Sequence, residues 1–270
     1  DGNRVSASNF TSDTQDSLIA LTGQCVVDGD DVALLSSGND GTDVTLTTNG
    51  VEVIGANVGL AGTDSERSNE SILTAQTDNG ITVNASGVTF DGVTFDTNDK
   101  AEAILLQSTG TTIQNSVISE GESGSNDLLE IDSTGTGDGI SILDNEFDAT
   151  GGTADDAIVV KGTHSGEDVN IEGNTFSGFD NGEAVFVNNN VDDDAQITIK
   201  DNEMLEVGGV TQGITYKANG NDGVNEIEGN KLVGDAAGVA VNGDQVDVVD
   251  NDFDASSSPG DGAIKFNADN

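Results

Sequence analysis

A short unit recurs along the second half of this 270-residue chain and constrains its fold more than any other feature. The unit reads apolar-x-apolar-x-x-Asn-x-apolar, as in residues 140–147 and again in residues 169–176. Its asparagines are Asn145, Asn174, Asn202, Asn230 and Asn251. They follow one another at intervals of 29, 28, 28 and 21 residues, and degenerate copies with Val93 and Ser116 in place of asparagine precede them.

A second series of apolar positions interleaves with the first, and each member heads a short alternating segment. Its members are Ile81, Ile104, Leu129, Ile158, Val185, Ile214, Val239 and Ile264. Alternation with a period of two predicts strands, and the Gly, Asn, Asp and Ser residues between them predict turns. Two series that share one period predict an all-β fold, a single parallel β-helix (solenoid) of about eight or nine coils.

Stacking explains this pattern physically. One coil cannot hide its own inward apolar side chains, but coils stacked about 4.8 Å apart align them into continuous columns. An asparagine at the same turn of successive coils can bond backbone groups that would otherwise stay buried without partners. The five recurring asparagines are therefore interpreted as a structural ladder and not as ligand-binding residues.

Two segments depart from the regular period. Residues 1–27 are expected to form a cap, because Ser12 and Gln15 have the spacing of a capping box ahead of an apolar run and predict a short helix. Residues 28–270 are expected to form one continuous β-helix domain. Val44 and Ile81 occupy equivalent positions 37 residues apart, so the segment around residues 59–71 is expected to loop out from the wall.

The start of the expected domain carries a family resemblance. Residues 28–35 (DGDDVALL), followed by the apolar positions Val44, Leu46, Val51 and Val53, are similar to the first coil of the right-handed parallel β-helix proteins of the pectate-lyase-like superfamily. The resemblance covers nearly the whole chain and implies the same fold. The Asn-Thr-Asp, Gly-His-Gly and Arg-x-Lys motifs of the β-helix glycosidases are absent. A lyase of this superfamily needs a basic residue beside calcium-binding acids, and few candidates exist.

Charge limits the function classes. Fifty Asp and Glu residues against eight Lys and Arg give a net charge of −42, which excludes a nucleic-acid binder that relies on phosphate contacts. No apolar run approaches the roughly 20 residues of a membrane span. Acid in place of lysine resembles the proteins of extreme halophiles, because molar salt screens repulsion between exposed carboxylates. The resemblance concerns habitat and predicts an extracellular or cell-surface protein.

Candidate ligand sites are weak in the sequence. Fifty carboxylates produce many close acid pairs by chance, so acid spacing does not identify a glycosidase pair, and no catalytic residue is assigned. No cofactor is expected, with calcium as the alternative, because carboxylate clusters supply hard oxygen ligands. The clusters are Asp28, Asp30 and Asp31, and Asp192, Asp193 and Asp194. Candidate glycosylation acceptors in Asn-x-Ser/Thr triplets are Asn9, Asn69 and Asn84.

The favoured function is structural and more an assembly role than an enzymatic one. An extracellular protein of an extreme halophile is expected to form a homo-oligomer or polymer, a filament or surface layer, through its β-helix ends. The strand that contains Ile264 and Phe266 would offer an unpaired edge for this assembly. The alternatives are a polysaccharide-binding or polysaccharide-degrading, lyase-like protein and a viral spike or fibre protein.

Overall fold

The structure is a computed structural model, and every regular element that it describes is a strand. The described residues are 5–6, 31–33, 39–41, 44–75, 79–97, 102–120, 127–133, 139–150, 154–162, 168–179, 182–188, 196–205, 213–217, 225–234, 238–242, 246–255 and 264–266. The helix expected from the capping box at Ser12 lies outside them, and of residues 1–27 the structure describes only residues 5–6. The domain boundary near residue 28 stays a prediction.

The strands are short, from two to five residues, because turn residues interrupt the chain at every corner. In chain order they are β1 (Val5–Ser6), β2 (Asp31–Ala33), β3 (Asn39–Gly41), β4 (Val44–Leu46), β5 (Glu52–Ile54), β6 (Ile72–Thr74), β7 (Asn79–Val83), β8 (Thr89–Asp91), β9 (Thr94–Asp96), β10 (Glu102–Leu106), β11 (Thr112–Gln114), β12 (Val117–Ser119), β13 (Leu129–Ile131), β14 (Ile140–Leu143), β15 (Glu146–Asp148), β16 (Ile158–Val160), β17 (Val169–Glu172), β18 (Thr175–Ser177), β19 (Val185–Val187), β20 (Ile197–Lys200), β21 (Glu203–Leu205), β22 (Ile214–Tyr216), β23 (Asn225–Glu228), β24 (Lys231–Gly234), β25 (Val239–Val241), β26 (Val246–Val249), β27 (Asp252–Ala255) and β28 (Ile264–Phe266).

Every third strand joins the same parallel sheet. The first sheet runs β1-β2-β5-β8-β11-β14-β17-β20-β23-β26, the second runs from β3 to β27, and the third runs from β4 to β28. From β2 onward, three consecutive strands make one coil, so the described strands form nine coils. The predicted all-β parallel solenoid is confirmed, and its coil number agrees with the expected eight or nine.

The apolar series of the sequence pair in register. In the third sheet Ile104 pairs with Ile81 and with Leu129, and the same column continues to Ile264. In the second sheet the rings of Phe147 and Phe176 stack with centroids 4.9 Å apart. Apart from Ile264 in the last described coil, these inward side chains are buried, and each buried one contributes about 1.5–3 kcal/mol to folding through the hydrophobic effect.

The corner between the first and second sheets is built from two residues. The first has a left-handed backbone, with φ of 54° at Asp144 and 70° at Gly173, which Asp, Asn and Gly adopt most readily. The second is the recurring asparagine. Asn174 Oδ1 accepts the Asn145 backbone N–H at 2.9 Å, and Asn174 Nδ2 donates to the Ile142 carbonyl at 2.8 Å.

This bonding repeats from coil to coil. The backbone amides of Asn174, Asn202 and Asn230 donate to the side-chain oxygen of the next asparagine at 2.9–3.0 Å. Ser116, which replaces asparagine, donates its amide to Asn145 Oδ1 in the same way. Asn145, Asn174, Asn202 and Asn230 are almost completely buried, and their polar groups are bonded.

Residues 55–71 connect β5 to β6 and lie against the coils that follow. Gly59 N–H donates to Asp91 Oδ1 at 3.0 Å, and Gly62 N–H donates to the Asp144 carbonyl at 2.8 Å. This segment, named here the side loop, therefore follows the corner along three coils. Its position agrees with the longer interval between Val44 and Ile81.

Replacement of a central asparagine should destabilise the fold strongly. Asn202→Ala leaves the buried Asn174 amide and the Ile171 carbonyl without partners, and each buried unsatisfied group costs about 1–3 kcal/mol. We expect the free energy of unfolding, measured by urea denaturation in molar KCl, to fall by about 2–4 kcal/mol. Asn251→Ala removes a partly exposed member of the same column and should cost less than half as much. Equal losses in the two variants would contradict this account.

Candidate functional site

The outer face of the third sheet differs from the other two. Strands of the first and second sheets alternate between buried and more exposed residues, whereas β13, β16, β22 and β25 are buried at all three positions. The outward residues of this sheet include Glu130, Val159 and Thr215, which are only 7%, 4% and 5% exposed. A carboxylate with this little exposure needs a local explanation, because burial disfavours its charged form.

Three further carboxylates lie along one edge of this face. Asp127, Asp156 and Glu183 each stand two residues before the head of a strand in the third sheet, in three successive coils. Backbone bonds hold them in register, since Leu128 N–H donates to the Asp156 carbonyl and Ala157 N–H donates to the Glu183 carbonyl, both at 3.0 Å. These three residues are named the carboxylate column.

Burial and mutual repulsion change the acidity of the column. Burial, followed by a side-chain hydrogen bond with Glu183, raises the pKa of Asp156 to about 8. The Glu183 backbone N–H donates to Asp156 Oδ1 at 2.7 Å and opposes this shift. Thr215 Oγ1 donates to Glu183 Oε1 at 2.9 Å. At neutral pH the Asp156 side chain therefore holds its proton, beside Glu183.

Asp127 titrates lower than Asp156. Burial, and then the negative charge of Glu130, raise the pKa of Asp127 to about 6, while the positive charge of Lys161 opposes the rise. Lys161 Nζ lies 2.6 Å from Glu130 Oε2. Burial alone would lower the pKa of Lys161, but the hydrogen bond and charge of Glu130 raise it. Near pH 7 the column therefore contains an ionised Asp127 beside a protonated Asp156.

An aromatic ring lies on the same face. Phe186 follows Glu183 by three residues and occupies an outward, partly buried position of β19. Lys217 Nζ stands 4.5 Å from the centre of the Phe186 ring, in the range of a cation–π contact. A protonated acid, an ionised carboxylate and an aromatic ring on one face are suited to binding a sugar and transferring a proton.

The calcium candidates of the sequence are not assembled by the described residues. Asp28, Asp30 and Asp192–Asp194 lie outside the described ranges, and Asp31 begins β2, where it pairs with Glu52. In the described part of the chain, no three His, Cys, Asp or Glu residues are grouped so as to hold a metal ion. The calcium alternative stays a prediction.

The glycosylation and assembly candidates have defined positions where they are described. Asn69 and Asn84 are exposed, and Asn69 has a φ of 53°, whereas Asn9 lies outside the described residues. Ile264 and Phe266 are the first and last residues of β28, the outermost described strand of the third sheet. Ile264 is 38% exposed. These positions leave both uses open as predictions.

The carboxylate column was missed in the sequence. Asp156 belongs to an Asp-Asp pair, and such pairs were treated as uninformative because the chain is rich in acids. The signal was their common position, since all three residues stand two places before Leu129, Ile158 and Val185 of the second apolar series. Aligning the acids on that series would have separated them from the background.

Three parallel sheets, two-residue corners and an asparagine column define a parallel β-helix protein. A family profile described as a right handed beta helix region matches residues 79–253. The chain belongs to this right-handed β-helix family, as its sequence predicts.

Comparison with other proteins adds a distant neighbour. The crystal structure of alginate lyase from Paenibacillus sp. str. FPU-7 is similar with a TM-score of 0.43 and 14% identity, over 97% of this chain and 99% of that chain. At this similarity no residue role or activity carries over from the lyase. No curated protein sequence matches the chain. Among the described residues, no helix is long and apolar enough to cross a membrane.

Asp156 should make the stability of the protein depend on pH. Between the ordinary carboxyl pKa of about 4 and the folded pKa of about 8, the folded protein holds a proton that the unfolded chain releases, so the free energy of unfolding falls as the pH rises. Asp156→Asn removes this proton. Between about pH 5 and pH 8, the free energy of unfolding should fall in both proteins. We expect the fall in the variant to be smaller than that in the wild type by at least about 2 kcal/mol.

Urea denaturation across this pH range measures the difference. Asp247→Asn is the control, because it removes a carboxylate from an exposed position of β26. It reports the general effect of removing one charge. A wild-type pH slope in the Asp156 variant would show that Asp156 does not hold this proton in the folded protein.

Proposed function

We propose that the protein binds an uncharged polysaccharide along the outer face of the third sheet and hydrolyses it with the carboxylate column. The observation that carries this proposal is the contact between Asp156 and Glu183 in successive coils, next to Asp127. Perturbed carboxyl groups on one face are typical of acid–base catalysis. Asp156 would donate a proton to the leaving oxygen as the glycosidic bond breaks, and the ionised Asp127 would accept a proton from the water whose oxygen bonds to the anomeric carbon. Glu183 is a positioning residue that keeps Asp156 protonated.

The same face has a repeated row of hydrogen-bonding groups. The residue that follows a strand of the third sheet donates its backbone N–H to the last residue of the preceding strand of that sheet, from Gln107 N–H on the Val83 carbonyl to Asn242 N–H on the Tyr216 carbonyl. The row consists of Gln107, Asp132, Lys161, Asn188, Lys217 and Asn242. One polar side chain per coil, about 4.8 Å apart, suits a polymer that extends along the helix axis.

Charge favours an uncharged polymer over a polyuronate. The face carries Asp127, Glu130, Asp156 and Glu183 near its middle, where Lys161 already pairs with Glu130. Lys217 lies over the Phe186 ring, and Lys265 lies in β28, the outermost described strand. Elimination from a uronate needs a base and a cation to neutralise the sugar carboxylate, whereas hydrolysis needs an acid and a carboxylate. The described residues supply the second set.

The proposal predicts a bell-shaped activity profile. Purified protein in molar KCl should release reducing ends from a panel of neutral glucans, xylans and mannans, without unsaturated products. The dependence of kcat/KM on pH should have limbs near pH 6 and pH 8, because Asp127 must be ionised and Asp156 protonated. Asp156→Asn should abolish turnover. Glu183→Gln should move the alkaline limb down by about one unit, because the repulsion that raises the Asp156 pKa is removed.

Two results would contradict the proposal. One is a Glu183→Gln variant with an unchanged alkaline limb. The other is release of unsaturated products from alginate or pectate, which would indicate a lyase. Asp247→Asn, on the exposed face of the first sheet, is the matched control and should retain wild-type activity.

End-to-end self-assembly is a second candidate, and the coil formed by β26, β27 and β28 favours it. Val246, Val248 and Phe253 point toward the core but are only partly buried, because no described coil covers them. A second copy would cover this apolar surface and pair with the strand edges. Such a protein would act at the surface of a halophile, as the composition predicts, with Asn69 and Asn84 exposed for glycans.

Assembly can be tested by comparing substitutions at an inward and at an outward position of the same strand. Light scattering and electron microscopy in molar KCl should reveal oligomers or filaments. Val248→Asp should reduce them to monomers, because it places a charge in the proposed contact. Val249→Asp, an outward and 42% exposed position of the same strand, should not. A wild-type protein that stays monomeric at high concentration would exclude this function.

A further inference from the structure

An open cavity of about 350 Å³ lies between the side loop and the outer face of the second sheet. Asp64, Arg67 and Glu70 line it from the loop, and Thr94, Val117 and Glu146 line it from three successive coils. The carboxylate column belongs to a different sheet. The cavity is therefore a second site, separate from the proposed polysaccharide face.

The wall that the loop contributes is held firmly in place. The Arg67 side chain is 6% exposed, and its Nη1 donates to the carbonyls of Leu60 at 2.9 Å and Asn115 at 2.6 Å. Gly62 approaches so closely that a Cβ atom there would lie 2.6 Å from the Ser116 carbonyl oxygen. The cavity is therefore preformed by the fold, which lowers the entropic cost of binding.

Among the described residues that line the cavity, Arg67 carries the one positive charge, and this charge is already balanced. Arg67 Nε and Nη2 donate to the two carboxylate oxygens of Glu70 at 3.2 and 2.8 Å. Thr94 Oγ1 donates to Glu70 Oε2 at 2.7 Å. A bidentate pair of this kind is strong and oriented, so Arg67 is not available to attract an anion.

Glu146 differs from Glu70, because its side chain has no hydrogen-bond or ion-pair partner among the described residues. Its side chain is half-buried, and burial, followed by the charge of Asp148, raises its pKa. Asp64 adds a second carboxylate, which accepts only the Glu66 backbone N–H at 2.8 Å among the bonds of the described chain. The lining thus has two uncompensated negative charges beside the apolar side chain of Val117.

The volume of the cavity and the residues that line it limit which cations it can bind. The cavity is about ten times the volume that one water occupies in the liquid, which is too large for a bare metal ion and close to the lower range of small-molecule sites. No aromatic side chain lines it, so it lacks the cage that recognises quaternary ammonium groups. A primary ammonium group can donate to Glu146, and carboxylate oxygens of Asp64 and Glu70 can accept from hydroxyl groups.

We propose that this cavity binds an amino sugar of monosaccharide size, with its ammonium group on Glu146 and its hydroxyl groups on Asp64 and Glu70. Val117 packs against the sugar ring. The charge on the nitrogen provides the selectivity, because a neutral or anionic sugar leaves Glu146 unpaired.

Titration of the intact protein with glucosamine tests this site. We expect saturable binding at near-neutral pH, followed by isothermal calorimetry or by chemical-shift changes in the side loop, with a Kd of about 1 mM. N-acetylglucosamine has the same ring without the charge and should bind at least tenfold more weakly, and glucuronate should not bind. Glu146→Gln should weaken glucosamine binding at least tenfold.

Matched variants keep the test independent of folding and of the proposed hydrolysis. Glu203→Gln changes the equivalent row of the second sheet two coils further on, where Glu203 pairs with Lys231 at 2.5 Å, and should bind as the wild type. Asp156→Asn should also bind glucosamine normally, even where hydrolysis is lost. Val117→Phe should block binding by filling the cavity. Equal binding of glucosamine and N-acetylglucosamine, or unchanged binding by a folded Glu146→Gln variant, would overturn the proposal.

Discussion

The bond from each corner amide to the asparagine of the next coil fixes the vertical register on which the other contacts depend. Parallel strands that slip by one residue would turn their apolar side chains outward. The left-handed residue before each asparagine turns the chain, and the asparagine then bonds the coil before it, as Asn174 bonds Asn145 and Ile142. Inward residues consequently stack on like residues, and outward residues become rows that run along the axis.

This register gives the three faces different uses. The first and second sheets present acids to solvent, with pairs between adjacent coils such as Lys200 Nζ to Glu228 at 2.8 Å. Most outward residues of the third sheet between Leu105 and Ala240 are buried as well, and there the same one-residue-per-coil rule brings Asp127, Asp156 and Glu183 together. On an open face, water and salt screen the repulsion within a column of acids. On a buried face, the loss of water raises the pKa of a carboxyl group.

The sequence predicts the inside of this molecule better than its outside. The column from Ile81 to Ile264 follows from period and polarity alone, because a core position tolerates only apolar residues. The carboxylate column does not follow in this way, because its three members cannot be singled out among fifty acidic residues. Composition also does not reveal which outward face is buried. The side loop was visible as an interval of 37 residues, but its contact with Asn115 and Asp144 depends on which coils it crosses.

Salt affects the exposed and the buried carboxylates of this protein differently. At molar ionic strength the Debye length is about 3 Å, so exposed carboxylates on the open sheets repel one another weakly. Ions that screen through bulk water act much less on buried groups, so Asp156 holds a proton beside Glu183 instead. Glu146 has neither full exposure nor a second acid in hydrogen-bond contact, and the ammonium group of the proposed amino sugar would neutralise it. The same surplus of acid therefore favours a proton on the third sheet and an organic cation beside the second.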